Sequence, residues 1–316
     1  MGEIFGFLRS AKAETNHKEN INLDALSWPS SIRSNTSDGM EENKKCYGTM
    51  DIPNQKLLEL ESATDVTCVG LGNALVTDAK NDRLLLFDKY GNPSFIYRNK
   101  DISLPSSVTI TNTGEVAMVS GLNKCVIVLS TDGDFIKCFR HAEFRKPRAI
   151  AMTKYGDYII TDVFSRKILV FNKKGKFKTF IGNSEQKLVC PRYIAVSENG
   201  DIIVSDAGAH SIIVYGAGGD LKCIMGGYGS SDGKLKYPCG VTTDKVGNIL
   251  VADRGNNRVS LFNPDGIFLC HMLTSSNGLI QPEGIALSPN GTIFVTYGLQ
   301  CDIRIAAFRV MCQKNT

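Results

Sequence analysis

The 316-residue chain has one tryptophan, four histidines and no Cys-x-x-Cys spacing anywhere. Each scarcity excludes something. No apolar run approaches the roughly 18 residues that a membrane-spanning helix needs, so no such span is expected. The ten cysteines fall singly, at 46, 68, 125, 138, 190, 223, 239, 270, 301 and 312. Structural zinc sites gather closely paired thiolates on short turns, so a zinc module is excluded and the cysteines read as reduced, mostly buried small hydrophobes. The opening MGEIFGFLRSAKAE carries acidic Glu3 and only a brief apolar patch, which does not build a basic-then-apolar secretory layout. Gly6 stands where a myristoylation motif wants Ser or Thr. A cytoplasmic, unanchored chain is the expectation. Against these absences stands an ordinary globular composition, with 36 basic and 32 acidic side chains, a formal charge of +4 and 42% hydrophobic residues. A chain of this length can bury a core without disulfides or metal.

Composition shifts near residue 45. The stretch before it is rich in Asn, Ser and charge without a sustained period, and reads as a disordered leader over 1–45. Trp28 lies inside it, either in a short docking or phosphorylation segment or in an incidental apolar cluster. Asn35-Thr36-Ser37 and Asn290-Gly291-Thr292 match the N-glycosylation pattern, which a cytoplasmic protein leaves unused.

After residue 60 the sequence repeats itself. Turn glycines at 72, 114, 156, 200, 247 and 291 are 42 to 47 residues apart, and Pro105, Pro147, Pro191, Pro238 and Pro282 stand about nine residues before the last five. Each unit reads as four short apolar runs separated by Gly, Asn and Asp turns, and no unit carries a long helical period. Six such units predict an all-β, six-bladed β-propeller with four antiparallel strands per blade. The expected boundaries are 46–312 for the propeller and 313–316 for a tail. Repeat six ends before its outermost strand, so a strand from KCYGTMD or KLLELE, ahead of repeat one, is expected to complete that blade.

The unit PCGVTTDKVGNILVADRGNNRVSLFNPDGIFL resembles an NHL repeat, and the resemblance extends over about residues 60 to 308. It is close in repeat five (Asp253, Asn256, Arg258, Phe262) and good in repeat one (Asp78, Asn81, Arg83, Phe87). Repeats three (Asp162, Ser165, Lys167, Phe171) and four (Asp206, Ala209, Ser211, Tyr215) match in part, and repeats two and six put Ser120 and Tyr297 where the Asp belongs. A WD40 propeller is disfavoured, because the one tryptophan lies outside the repeats. The repeated Asp and Arg read first as scaffold: a carboxylate ending a strand accepts turn N–H groups, and an arginine pairs with it.

What is not repeated is charge. Lys137 to Arg192 holds fourteen basic residues against four acidic ones, leaving −6 for the rest of a chain whose total is +4. Strand topology assigns Arg145, Lys146, Arg148, Arg166, Lys167 and Arg192 to the top face, with Phe164 and Tyr193 among them, and Lys173, Lys174 and Lys176 to the underside. The eight top-face residues are the expected RNA- or partner-binding set, the bland alternative being a solvated charged face. Tyr193 either stacks a nucleobase between Arg148 and Arg192 or plugs the channel top. The resemblance to TRIM-NHL proteins implies single-stranded RNA, or an acidic protein partner in a ubiquitin-ligase pathway, as the ligand of a non-catalytic, monomeric propeller. RING, B-box and coiled coil are missing, so ligase activity would need a partner. No cofactor, metal or membrane is expected. A propeller lyase or hydrolase with a channel metal is the lesser alternative, and the repeats offer it only His141, His210 and His271.

Overall fold

The computed structural model describes residues 47–51, 60–182, 187–299 and 302–310. The leader with Trp28, residues 52–59 and the tail lie outside the described residues.

The apolar runs form the expected strands, in chain order. Tyr47–Asp51 is β1. Blade one is β2 to β5 (Ala63–Val69, Asn73–Asp78, Arg83–Phe87, Pro93–Tyr97), and blade two is β6 to β9 (Pro105–Ile110, Val116–Ser120, Cys125–Leu129, Phe135–Phe139). Blade three is β10 to β13 (Pro147–Met152, Tyr158–Asp162, Lys167–Phe171, Phe177–Ile181), and blade four is β14 to β17 (Pro191–Val196, Ile202–Asp206, Ser211–Tyr215, Leu221–Gly226). Blade five is β18 to β21 (Pro238–Thr243, Ile249–Asp253, Arg258–Phe262, Phe268–Leu273). Blade six begins with β22 to β24 (Ile285–Leu287, Thr292–Leu299, Asp302–Val310).

Every pairing within a blade is antiparallel, and β1 pairs onto β24 with Tyr47 opposite Val310 and Asp51 opposite Ala306. The leader-side strand therefore completes blade six as the sequence requires. Inner strands pack side by side around the ring, β2 beside β6, β6 beside β10 and so on to β22, which returns to β2.

The core lies between blades. Leu75, Leu84 and Leu86 of blade one pack on Val108, Met118 and Ile127 of blade two, and similar apolar layers join each later pair, including blade six to blade one. The middle strands β4, β7 and β8 are buried throughout and β3 from Ala74 on, whereas outermost strands such as β13 are largely exposed. Each fully buried Leu or Ile is worth roughly 1.5–3 kcal/mol, so inter-blade layers carry most of the stability. The cysteines are free, but of those described only Cys125 and Cys239 are buried and Cys138 is exposed, which corrects the expectation of mostly buried thiols.

Turn chemistry explains the repeat signal. Gly114, Gly156, Gly200, Gly247 and Gly291 all adopt φ between 82° and 92°, a region that glycine enters without strain. Blade one differs, since its positive-φ glycine is Gly70 and not Gly72. At the opposite end, the recurring Asp is scaffold. Asp253 accepts from Arg258 Nε (2.8 Å), Asn256 Nδ2 (2.8 Å) and the Lys236 N–H (2.7 Å), and Asp78 does the same with Arg83, Asn81 and the Glu61 and Ser62 N–H groups. Each ties the crossover entering a blade to the turn between that blade's second and third strands, so both lie on one face, the top. In blade two the Ser120 hydroxyl takes over, accepting from the Ser103 N–H.

Candidate functional site

The first residue after each repeat proline opens an inner strand at the top of the channel. In blade order these residues are Thr64 (after Ala63, which replaces the proline), Ser106, Arg148, Arg192, Cys239 and Glu283. Six blades thus bring one residue each to a common ring. Glu283 is its only acid, and it gathers Arg148, Arg192 and Cys239. Its Oε1 accepts from Arg148 Nη2 at 2.8 Å and from Arg192 Nη2, while Oε2 faces Arg254 Nε at 3.2 Å and the Cys239 thiol at 3.6 Å. Arg254 reaches in from the turn after β19 and also donates to Gln281 (2.9 Å).

Beneath the ring lies Tyr193, 3% exposed, whose hydroxyl donates to the Thr64 carbonyl and receives Arg148 Nη2 at 3.3 Å. A ring buried to this degree is not an open stacking surface. Asp65, also buried, accepts from the Val66 and Val108 N–H groups.

Electrostatics sets what this arrangement can do. Burial alone would push the Glu283 carboxyl up, but the guanidinium groups of Arg192, Arg148 and Arg254 outweigh it and hold it below the usual carboxylate value. Three cations facing one anion leave the mouth at +2. The Nε atoms of Arg148 and Arg192 are buried with no hydrogen-bond partner among the described residues, so the donor capacity of the cluster exceeds what Glu283 takes up. Burial and then the Glu283 charge raise the Cys239 thiol, so it is not poised as a nucleophile. A carboxylate clamped by three arginines is likewise a poor base. Burial raises Asp65 to about 6 despite hydrogen bonds from Ser107, Val108 and Val66.

A channel metal does not fit these residues. Both channel carboxylates are committed, to guanidinium and to backbone N–H groups, and no three His, Cys, Asp or Glu side chains among the described residues are grouped to hold a cation. His271 lies on the outer strand of blade five against Ser260 and Asp232, and His141 stacks on Phe177 at 4.4 Å.

The expected site residues divide. Arg148, Arg192 and Tyr193 meet at the ring. Arg145, Lys146, Phe164 and Arg166 are exposed on the top of blade three, Phe164 at 64%, with the Lys146 ammonium 4.9 Å from its ring centre. Lys167 pairs with Glu143 at 3.1 Å and lies 4.7 Å from the ring of Phe180 on the outer strand. Thr64, Ser106, Cys239, Arg254 and Glu283 were not expected in the site. Aligning the residue directly after each repeat proline would have exposed the ring.

No protein-family model and no curated protein sequence matches the chain. Among solved structures, the fold is similar to a streptogramin B lyase (14% identity, TM-score 0.60, covering 84% of this chain and 98% of the other). It is also similar to a gluconolactonase from Xanthomonas campestris (15%, 0.61, 80% and 88%) and to a protein of unknown function from Bacteroides thetaiotaomicron (15%, 0.65, 80% and 70%). At such identities the likeness shows the fold, a six-bladed propeller, and the narrower NHL resemblance rests on the sequence motif alone. The expectation of a non-enzyme is corrected by these neighbours, since the architecture is one in which a lyase and a gluconolactonase are built. No helix among the described residues is long and apolar enough to cross a membrane.

Proposed function

We propose that the top of this propeller binds an anionic ligand. Arg148, Arg192 and Arg254 are the anchor, and Arg145, Lys146 and Arg166 extend the positive surface outward over blade three. The observation that carries this reading is the excess of charge at the mouth, three guanidinium groups around the single carboxylate of Glu283. Guanidinium groups suit phosphate and carboxylate because their N–H donors form paired, charge-assisted bonds. Single-stranded RNA is the polyanion proposed, with exposed Phe164, not buried Tyr193, as the surface on which a base stacks.

The test is binding of mixed-sequence single-stranded RNA across a salt series. Each phosphate contact contributes a slope of about 0.7 in log affinity against log salt, and the Arg145→Glu, Lys146→Glu double variant flattens that slope. RNA binding that ignores both salt and substitution overturns the RNA reading. An acidic protein partner captured by wild type and lost in the same variant would then replace it.

A second reading is a small anionic substrate at the same mouth. It is favoured by the streptogramin B lyase and the gluconolactonase among the structural neighbours. Turnover of an anionic compound by wild type that is lost in Arg254→Ala would establish it.

A further inference from the structure

The crossover from blade four to blade five, residues 227–237, is longer than the seven-residue crossovers 98–104 and 140–146. It is firmly held. Leu235 is fully buried, and its N–H donates to the Gly227 carbonyl at 3.0 Å. Arg258 donates to the carbonyls of Ser230 (2.9 Å), Ser231 (3.3 Å) and Lys234 (2.7 Å), and Asn256 donates to that of Gly229 (3.0 Å). A loop anchored this way nevertheless displays two tyrosine rings, Tyr228 at 67% exposure and Tyr237 at 54%. His210 lies between them, its ring centre 5.0 Å from that of Tyr228 and 4.5 Å from that of Tyr237, edge-on to both. Its Nδ1 accepts from the Tyr237 N–H at 3.0 Å, so the neutral ring carries its proton on Nε2 as a donor. The Lys236 ammonium is 5.5 Å from the Tyr228 ring centre.

The cluster borders the charged mouth. Tyr237 precedes Pro238 and the ring residue Cys239, and the Gly255 N–H, next to Arg254, donates to the Lys236 carbonyl at 2.8 Å. Exposed rings on a rigid frame bind flat π-systems at low entropic cost, because little remains to be ordered. One cation beside the rings, Lys236, and a second at the adjoining mouth, Arg254, add a demand for negative charge.

We infer that Tyr228, His210 and Tyr237 form a stacking platform for a planar ring bearing a carboxylate or phosphate, the anion being held by Arg254 and Lys236. This deepens the anionic-ligand reading of the mouth and rests on it for the charged half only.

The test compares ring-bearing with ringless anions by calorimetry: uridine 5′-monophosphate against inorganic phosphate, and benzoate against acetate. Stacking makes each ring-bearing anion bind at least about tenfold more tightly than its ringless counterpart. Tyr228→Ala and Tyr237→Ala remove that advantage while leaving phosphate affinity unchanged, Tyr237→Phe retains it, and Arg254→Gln weakens all four anions. An advantage for the nucleotide alone assigns the platform to nucleobases, and one shared by benzoate assigns it to planar rings in general. Equal affinity of ring-bearing and ringless anions, or an advantage that survives both alanine variants, overturns the platform and leaves the mouth reading intact. If phosphate fails to bind but nucleotide binding is lost on tyrosine truncation, the platform stands and the mouth reading falls. Both tyrosines are exposed, so unchanged thermal unfolding confirms that the variants fold.

Discussion

Two kinds of carboxylate–guanidinium contact occur in this propeller. In blades one and five, Asp78 and Asp253 each meet one arginine, Arg83 or Arg258, at 2.8 Å, and both carboxylates are completely buried. At the channel mouth, Glu283 meets three arginines and its side chain keeps 14% of its exposure. The first arrangement is charge-balanced and saturated by backbone N–H groups, so it has nothing left to offer a ligand. The second has two positive charges to spare and faces solvent. The same chemistry builds the scaffold where it is repeated and makes a binding surface where it is not.

Breaking the scaffold pair has the largest effect on stability. Asp253→Asn leaves the Arg258 charge buried without its partner, and the expected loss is about 3–5 kcal/mol in urea unfolding. Glu283→Gln costs less, about 1–3 kcal/mol, because the arginines left behind are partly exposed and water solvates them. If the two losses are equal, the distinction between scaffold and mouth disappears.

Acid separates the two channel carboxylates. Folded Asp65 keeps its proton up to about pH 6, whereas in the unfolded chain it is released near 3.8. In that window the folded state binds more protons, so the Asp65 contribution to stability falls as pH rises from about 4 to about 6. Glu283 has the opposite sign, its contribution being complete above its ordinary value of 4.5 and lost as pH falls through its lowered folded value. Asp65→Asn is expected to remove roughly 2 kcal/mol of pH dependence between pH 4 and 6, read from urea midpoints. Glu283→Gln leaves the Asp65-dependent fall in place and removes the opposing dependence near and below 4.5. The smallest effect on stability is that of Phe164→Ala, within about 0.5 kcal/mol, although RNA affinity falls.

Much of the fold was legible in the sequence. Strand alternation, turn glycines and a 42 to 47-residue spacing report local geometry, and repetition averages away the weak matches of repeats two and six. Even the closing strand followed, because an unfinished blade demands a partner. The mouth was legible only in part. Arg148 and Arg192 stood out by charge, but Glu283 lies 135 and 91 residues from them, and only ring closure makes the three neighbours. Arg254 was hidden within a motif whose other members are scaffold. Tyr193 could not be resolved between plug and platform, because its burial depends on how closely six inner strands approach.

The central claim is that Glu283 occupies, as an internal anion, charge that a ligand would otherwise use. Phosphate affinity of folded Glu283→Gln against wild type across a salt series tests it most directly. Removing the internal carboxylate raises the mouth from +2 to +3, so the variant is expected to bind phosphate more tightly and with steeper salt dependence, even though it is less stable. Unchanged or weaker binding, in a variant that still unfolds cooperatively, contradicts the account.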